Sequence, residues 1–125
     1  MSIKATVVHV LKKERVNVSV SVHVVVSARI RRLNREHRGK DAPTDVLSFG
    51  GLDLDSGDLG DLFICLEQIR RQAREWGETY KGEFLRMLIH GTLHILGYDH
   101  VGEKEAEVMF SRQEKYLEEV KKKIR

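Results

Sequence analysis

Residues 16–26 read VNVSVSVHVVV, with valine at every even position and mostly polar residues between. A period of two built from β-branched side chains predicts a strand with one buried face. Ile3 to Val10 predicts an earlier strand, joined to it through the charged segment Leu11-Lys12-Lys13-Glu14-Arg15. Ser27 is placed to cap a short helix, SARIRRLNREHR, in which Ile30, Leu33 and His37 fall three to four apart, and Gly39 ends it. Val46–Phe49 and Leu59–Leu66 read as short strands, separated by Gly50, Gly51 and the Asp-Ser-Gly turn at 55–57. A helix over 66–76 stops at Gly77. The next, EFLRMLIHGTLHIL at 83–96, is apolar over so much of its surface that it is predicted to be the central buried helix. The last, from about 103 to 123, carries Ala106, Met109, Phe110, Leu117 and Val120 on one stripe. Strands followed by helices around one sheet predict an α+β fold, a single small mixed sheet packed with helices.

Composition bounds this picture. A chain of 125 residues suits one domain spanning 1–125, large enough to fold without covalent staples. The single cysteine, Cys65, excludes an intrachain disulfide and fits a reducing compartment. The first ten residues lack the pattern of a secretory signal, and no apolar run approaches the roughly 20 residues that span a bilayer. The expectation is a cytoplasmic protein with no membrane partner. The net charge of +3, from 22 Lys+Arg against 19 Asp+Glu, is too mild to indicate nucleic-acid binding by itself.

The chemistry concentrates in HGTLHILGYDH, residues 90–100, which holds three of the six histidines. His90 and His94 are four apart on a helix, so both imidazoles lie on one face and within reach of one metal ion. His100 would lie roughly 15 Å further along the axis if the helix continued. Gly97 is able to take the left-handed conformation that ends a helix, which lets Tyr98-Asp99-His100 fold back toward the first two ligands. His90, His94 and His100 thus form a candidate three-histidine site for one Zn²⁺ per chain. The spacing also matches the metzincin peptidases, in which a glutamate directly follows the first histidine as general base. Here that place is Gly91, which argues against peptide hydrolysis.

Neighbouring residues carry plainer readings. Asp99 either supports a ligand imidazole or caps the following helix, and both readings stand. Glu83 reads as a solvent-facing salt-bridge partner, Met87 as core, and Cys65 as a buried small hydrophobe. His9, His23 and His37 have no metal-like spacing. Thr44 and Asp45 read as the turn into a strand, and Phe49 as core.

HGTLHILGYDH, taken with LNREHRGKDAPTDVLSFG at 33–50, resembles the YbeY family of bacterial endoribonucleases. GDLFICLE at 60–67 and the Glu105, Met109, Glu114 pattern are similar to the family's next strand and C-terminal helix, so the resemblance covers about 27–120. It implies that His90, His94 and His100 bind the metal and that Arg38 is functionally important. It also implies a metal-dependent endonuclease specific for single-stranded RNA, acting on 16S rRNA 3′ ends and partnered by the small ribosomal subunit, with no DNA substrate. On that basis Arg38 is the candidate to grip the scissile phosphate beside the metal; the competing reading pairs it with Asp45 or Asp61. The chain departs from the family pattern at Gly50, His37 and Ala28-Arg29-Ile30, and only Leu11–Arg15 is left for the helix that the family places between its first two strands. Two further functions are weighed against RNA cleavage: a ribosome-associated assembly factor with a structural metal, and a zinc peptidase. Under the first reading the charge distribution gains meaning. Residues 29–40 hold six Lys+Arg against Glu36 alone, whereas 41–67 hold seven acids and no base. A basic helix beside a metal cleft is an RNA-docking surface.

Overall fold

The computed structural model describes residues 3–17, 19–53, 58–99 and 101–124. Among these the elements follow in the order α1 (Ile3–Lys13), β1 (Ser19–Val25), α2 (Ser27–Arg38), β2 (Val46–Asp53), β3 (Asp58–Cys65), α3 (Leu66–Trp76), α4 (Tyr80–Ile95) and α5 (Glu103–Ile124). The strand order is β1-β3-β2; β1 runs parallel to the central β3 and β2 antiparallel to it. This is the mixed sheet of an α+β fold.

Strand parity decides which layer each side chain joins. The odd-numbered Val25, Leu47, Phe49, Phe63 and Cys65 pack with Ile30 and Leu33 of α2. The even-numbered Val20, Val22, Val46, Leu62 and Ile64 pack on the other face with α1, α3 and α4. One face of β1 was expected to be buried along its whole length. Val20 and Val22 are half-buried beside α1, but Val24 and Val26 are 49% and 61% exposed. The half-buried residue at that end is the odd-numbered Val25, packed against the α2 cluster.

The segment 3–10, expected as a strand, is helix α1. Its buried residues are Thr6, Val7, His9, Val10 and Leu11, and Ile3 packs beside them; positions 3, 7, 10 and 11 mark one helical face. β-Branched composition suggested a strand, but burial of that face against α4 and α5 outweighs a propensity deficit of less than about 1 kcal/mol per residue. The supposed connector at 11–15 is the end of this helix and the turn that closes it, with Glu14 N–H bonded to Val10 O.

Helix α2 lacks the expected side-chain cap. Ser27 is its first residue, and the Ser27 N–H donates to the Glu67 carboxylate at 3.1 Å. The cap therefore comes from α3. At the other end Gly39 adopts φ +71°, and the N–H groups of Gly39 and Lys40 bond to Arg35 O and Asn34 O. A Cβ at Gly39 would meet nothing within 4 Å, so the whole cost of Gly39→Ala is backbone strain. That substitution is expected to lower stability by about 1–2 kcal/mol. Urea unfolding measures it, and an unchanged midpoint would refute the left-handed turn.

Helix α4 is the central element. Thr79 Oγ1 caps it by accepting from Gly82 N–H at 3.0 Å. Leu88, Ile89 and Leu93 are fully buried, each contributing about 1.5–3 kcal/mol through removal from water. Met87 and Cys65 belong to the core as expected. Glu83 does not face solvent: it is completely buried, accepting from Arg86 Nη1 at 2.9 Å and Gln72 Nε2 at 2.7 Å. On α5, Met109, Gln113, Tyr116, Leu117 and Val120 are buried, while Phe110, expected on that stripe, is 49% exposed. Phe110 follows Met109 by one residue and so points about 100° away from the core-facing line.

Candidate active site

Three segments of the chain converge on a cleft of about 320 Å³. The C-terminal end of α2 supplies Asn34 and Arg38, with Lys40 just beyond; the entry to β2 supplies Thr44 to Ser48; α4 supplies His90 and His94. Each segment is tied down. Asn34, itself buried, donates from Nδ2 to Ala42 O at 2.9 Å, holding the loop between α2 and β2. Asp45 Oδ1 accepts from Thr44 Oγ1 and from Val46 N–H at 2.8 Å, the turn expected at that point. Ser48 Oγ donates to Gly91 O at 3.3 Å, linking β2 to α4.

The close seating of α4 depends on Gly91. A Cβ there would lie 2.3 Å from Leu62 Cδ1 and 3.1 Å from Val46 Cγ2. The position after the first histidine therefore faces the sheet, where even a Cβ would force Leu62 to shift. The missing glutamate is a packing requirement of the fold.

The two imidazoles have ring centroids 6.2 Å apart and planes inclined by 30°. His94 Nδ1 is 2.8 Å from Tyr98 O. A carbonyl only accepts, so Nδ1 carries the proton and Nε2 the lone pair. His90 Nδ1 is 2.8 Å from Gln113 Oε1, and the Gln113 amide nitrogen donates to Glu114 at 3.2 Å. The carboxylate accepts only, which turns the amide oxygen toward His90 and again places the ring proton on Nδ1. Both histidines are thus held in the tautomer of a metal ligand, each fixed by a partner behind it.

Gly97 takes φ +106° and turns the chain after α4, as expected. The reversal is anchored from far away in sequence. Tyr98 Oη donates to Glu14 Oε1 at 2.7 Å, and Tyr116 Oη bonds to the other oxygen of the same carboxylate. Burial, then the Glu14 hydrogen bond, push the Tyr98 hydroxyl up to about 12, so it remains a donor. Asp99 Oδ1 accepts from Val101 N–H at 3.1 Å, a local turn that ends before α5 begins at Glu103 and is not a helix cap. His100 lies outside the described residues. Among the described residues no group of three His, Cys, Asp or Glu side chains is placed to hold a metal.

Arg38 lines the cleft. Its Nη2 donates to Ser48 O at 2.9 Å and its guanidinium carbon lies 5.7 Å from the centre of the Phe49 ring. The competing partners are engaged elsewhere, Asp45 in its turn and Asp61 with His23 at 2.9 Å. Part of the basic block on α2 is paired: Arg31 and Arg35 share Asp41, and Arg32 pairs with Glu36. The cationic residues that line the cleft are Arg38 and Lys40.

Residues that sequence reasoning did not find are Gln113, Tyr98 and Glu14. Gln113 alone carried a signal, as a polar residue four positions from Met109 and Leu117 on an apolar stripe.

The model of the family described as Endoribonuclease YbeY matches residues 1–121. An Endoribonuclease YbeY from Geobacillus thermodenitrificans is 46% identical over 109 residues, covering 78% of this chain and 70% of the relative. One from Thermotoga maritima is 40% identical over 120 residues, covering 95% and 79%. A solution structure of a Thermotoga maritima protein, 39% identical, superposes with a TM-score of 0.70 over 94% of this chain and 78% of that one. The resemblance seen in residues 27–120 therefore extends to the N-terminal segment, and the chain belongs to the endoribonuclease YbeY family.

Proposed function

We propose that the cleft between α2, β2 and α4 binds and cuts single-stranded RNA at a site made by Arg38, His90, His94 and His100 with one zinc ion. Family membership supplies the reaction class, endonucleolytic cleavage of RNA. The observation that carries the site is the matched pair of Nδ1 hydrogen bonds, which leave Nε2 of His90 and of His94 as the basic nitrogens beside Arg38. Imidazole donors suit zinc better than magnesium, and His100, following the turn at Gly97, completes the set. The chemistry that a zinc ion supplies among such ligands is Lewis-acid polarisation of a phosphoryl oxygen and acidification of water.

The chain's own groups do the rest. Arg38 is held in place by Ser48 O and the Phe49 ring, and the rest of its fork of N–H donors is available to bind phosphate oxygens as charge develops on them. Lys40 adds a second positive charge at the same wall. Gln113 and the Tyr98 carbonyl keep the imidazoles oriented, and Asn34 holds the loop that closes the cleft. The finer setting follows the family resemblance: 16S rRNA 3′-end maturation in the cytoplasm, on or beside the small ribosomal subunit. No helix among the described residues is long and apolar enough to cross a membrane. A peptidase reading is disfavoured by the sheet packed against Gly91.

Purified protein incubated with single-stranded RNA, duplex RNA and casein, each with and without chelator, tests the proposal. Cleavage of the single strand alone, abolished by chelator and restored by zinc, is expected. Arg38→Ala is expected to retain fold and metal while cleavage falls by roughly 100-fold or more, the loss typical of one transition-state donor. Full cleavage by the folded variant would remove Arg38 from the mechanism. Intact RNA together with binding to small subunits would favour the assembly-factor reading.

A further inference from the structure

A second groove, of about 490 Å³, adjoins the cleft, and His90 and Asp45 line both. Two large aromatic side chains from different helices reach it: Trp76 at the end of α3, 63% exposed, and Phe110 on α5, 49% exposed. Neither belongs to the core clusters, so folding leaves two large ring surfaces in water at one place. Exposed apolar surface concentrated beside a reactive site marks a binding surface.

The charges of the groove say what part of a ligand enters. Its one cationic side chain, Arg86, is shared among Glu83, Glu114 and Glu78 at 2.9, 3.1 and 3.8 Å. Arg86 donates to Glu114 and to Glu83, bonds that raise its pKa, and these carboxylates offset its charge. Phosphate finds no counter-charge here, whereas Arg38 and Lys40 line the cleft on the other side of His90. A strand with a phosphate at Arg38 must continue past His90 with its charged backbone turned away from Glu78 and Glu114. Its neutral, flat bases then face the aromatic rings.

We propose that Trp76 and Phe110 form a stacking platform for unpaired nucleobases next to the scissile phosphate, an inference that rests on the RNA-cleavage reading above. Base–aromatic stacking contributes in a sequence-tolerant way, because every base presents a flat face. Bases within a duplex are stacked on their neighbours, so the platform favours single strands. Preference for unpaired RNA is then a property of this groove, and bond cleavage a property of the cleft.

Trp76 is the only tryptophan in the chain, so its fluorescence reports this groove alone. The zinc-loaded protein is mixed by stopped flow, before turnover, with a short single-stranded RNA, with the same strand made abasic, and with a duplex. Quenching by the intact single strand, and roughly 5-fold or more tighter binding than the abasic strand, are expected from one stacked base. Phe110→Ala should weaken binding of the intact strand, leave the abasic strand unchanged, and raise KM more than it lowers kcat. Phe110→Tyr should restore wild-type binding. Equal affinity for intact and abasic strands, or a Phe110→Ala enzyme with unchanged KM, would overturn the platform while leaving RNA cleavage standing. So would self-association of the protein that Trp76→Ala abolishes, without RNA quenching. Base-dependent quenching by a protein that cuts no RNA would uphold the platform and reject the cleavage reading instead.

Discussion

Gly91→Glu, the change that writes the metzincin His-Glu pair into this helix, is expected to abolish the fold and create no peptidase. The first atom of the new side chain would sit 2.3 Å from Leu62 Cδ1, with Val46 behind it. Leu62 is completely buried, so any shift it makes is into the packed core. Overpacking of a dense core costs about 1–3 kcal/mol, and an unpaired carboxylate there costs several more. Together these approach the roughly 5–15 kcal/mol by which a domain is stable at all. Gly91→Ala separates the two contributions. It adds the clash, but alanine is better than glycine by about 1 kcal/mol inside a helix, so a net loss of roughly 0–2 kcal/mol is expected. Thermal and urea unfolding measure both variants. A Gly91→Glu protein that melts with the wild type would show that α4 does not rest on β2 and β3 through this residue.

His94→Ala is expected to fold normally and to lose both zinc and RNA cleavage. The imidazole is half-buried on the cleft side of α4, so its removal takes away little core contact. Loss of a ligand from a three-histidine site should weaken zinc by more than the roughly 10–100-fold that accompanies loss of a group behind a ligand. Gln113→Leu gives the comparison. It removes the amide that orients His90 while leaving the ring in place, and a zinc affinity reduced by about 10–100-fold is expected. Zinc competition against a chromophoric chelator ranks the three proteins, and the melting temperature of each metal-free form controls for folding. Stoichiometric zinc in His94→Ala would move the site elsewhere. Equal zinc affinity in Gln113→Leu would make that hydrogen bond structural.

What the sequence revealed and concealed follows from the range of the interactions. The histidine helix and the turn at Gly97 were legible, since spacing along one segment governs them. The β2 and β3 strands were legible for the same reason. Helix α1 was not, because its valines and isoleucine favour a strand locally while its docking on α4 and α5 is a tertiary matter. The Glu67 cap on α2 escaped notice because donor and acceptor lie 40 residues apart. Glu83 looked like a surface residue until Gln72 and Arg86 supplied its buried partners. Arg38 was picked out by resemblance alone. Its hold on Ser48 and Phe49 needs the end of α2 to lie beside β2, which no local pattern encodes.

The Glu14 carboxylate has one more consequence. It sits just past the end of α1 and holds Tyr98, whose carbonyl in turn holds His94. The hold on His94 therefore draws on the N-terminal part of the chain, and undocking of α1 would release Tyr98 from Glu14 even with the sheet paired. Such openings occur with free energies anywhere below that of global unfolding. An N-terminal helix that contributes no residue to the cleft thereby shares in holding one of its histidines.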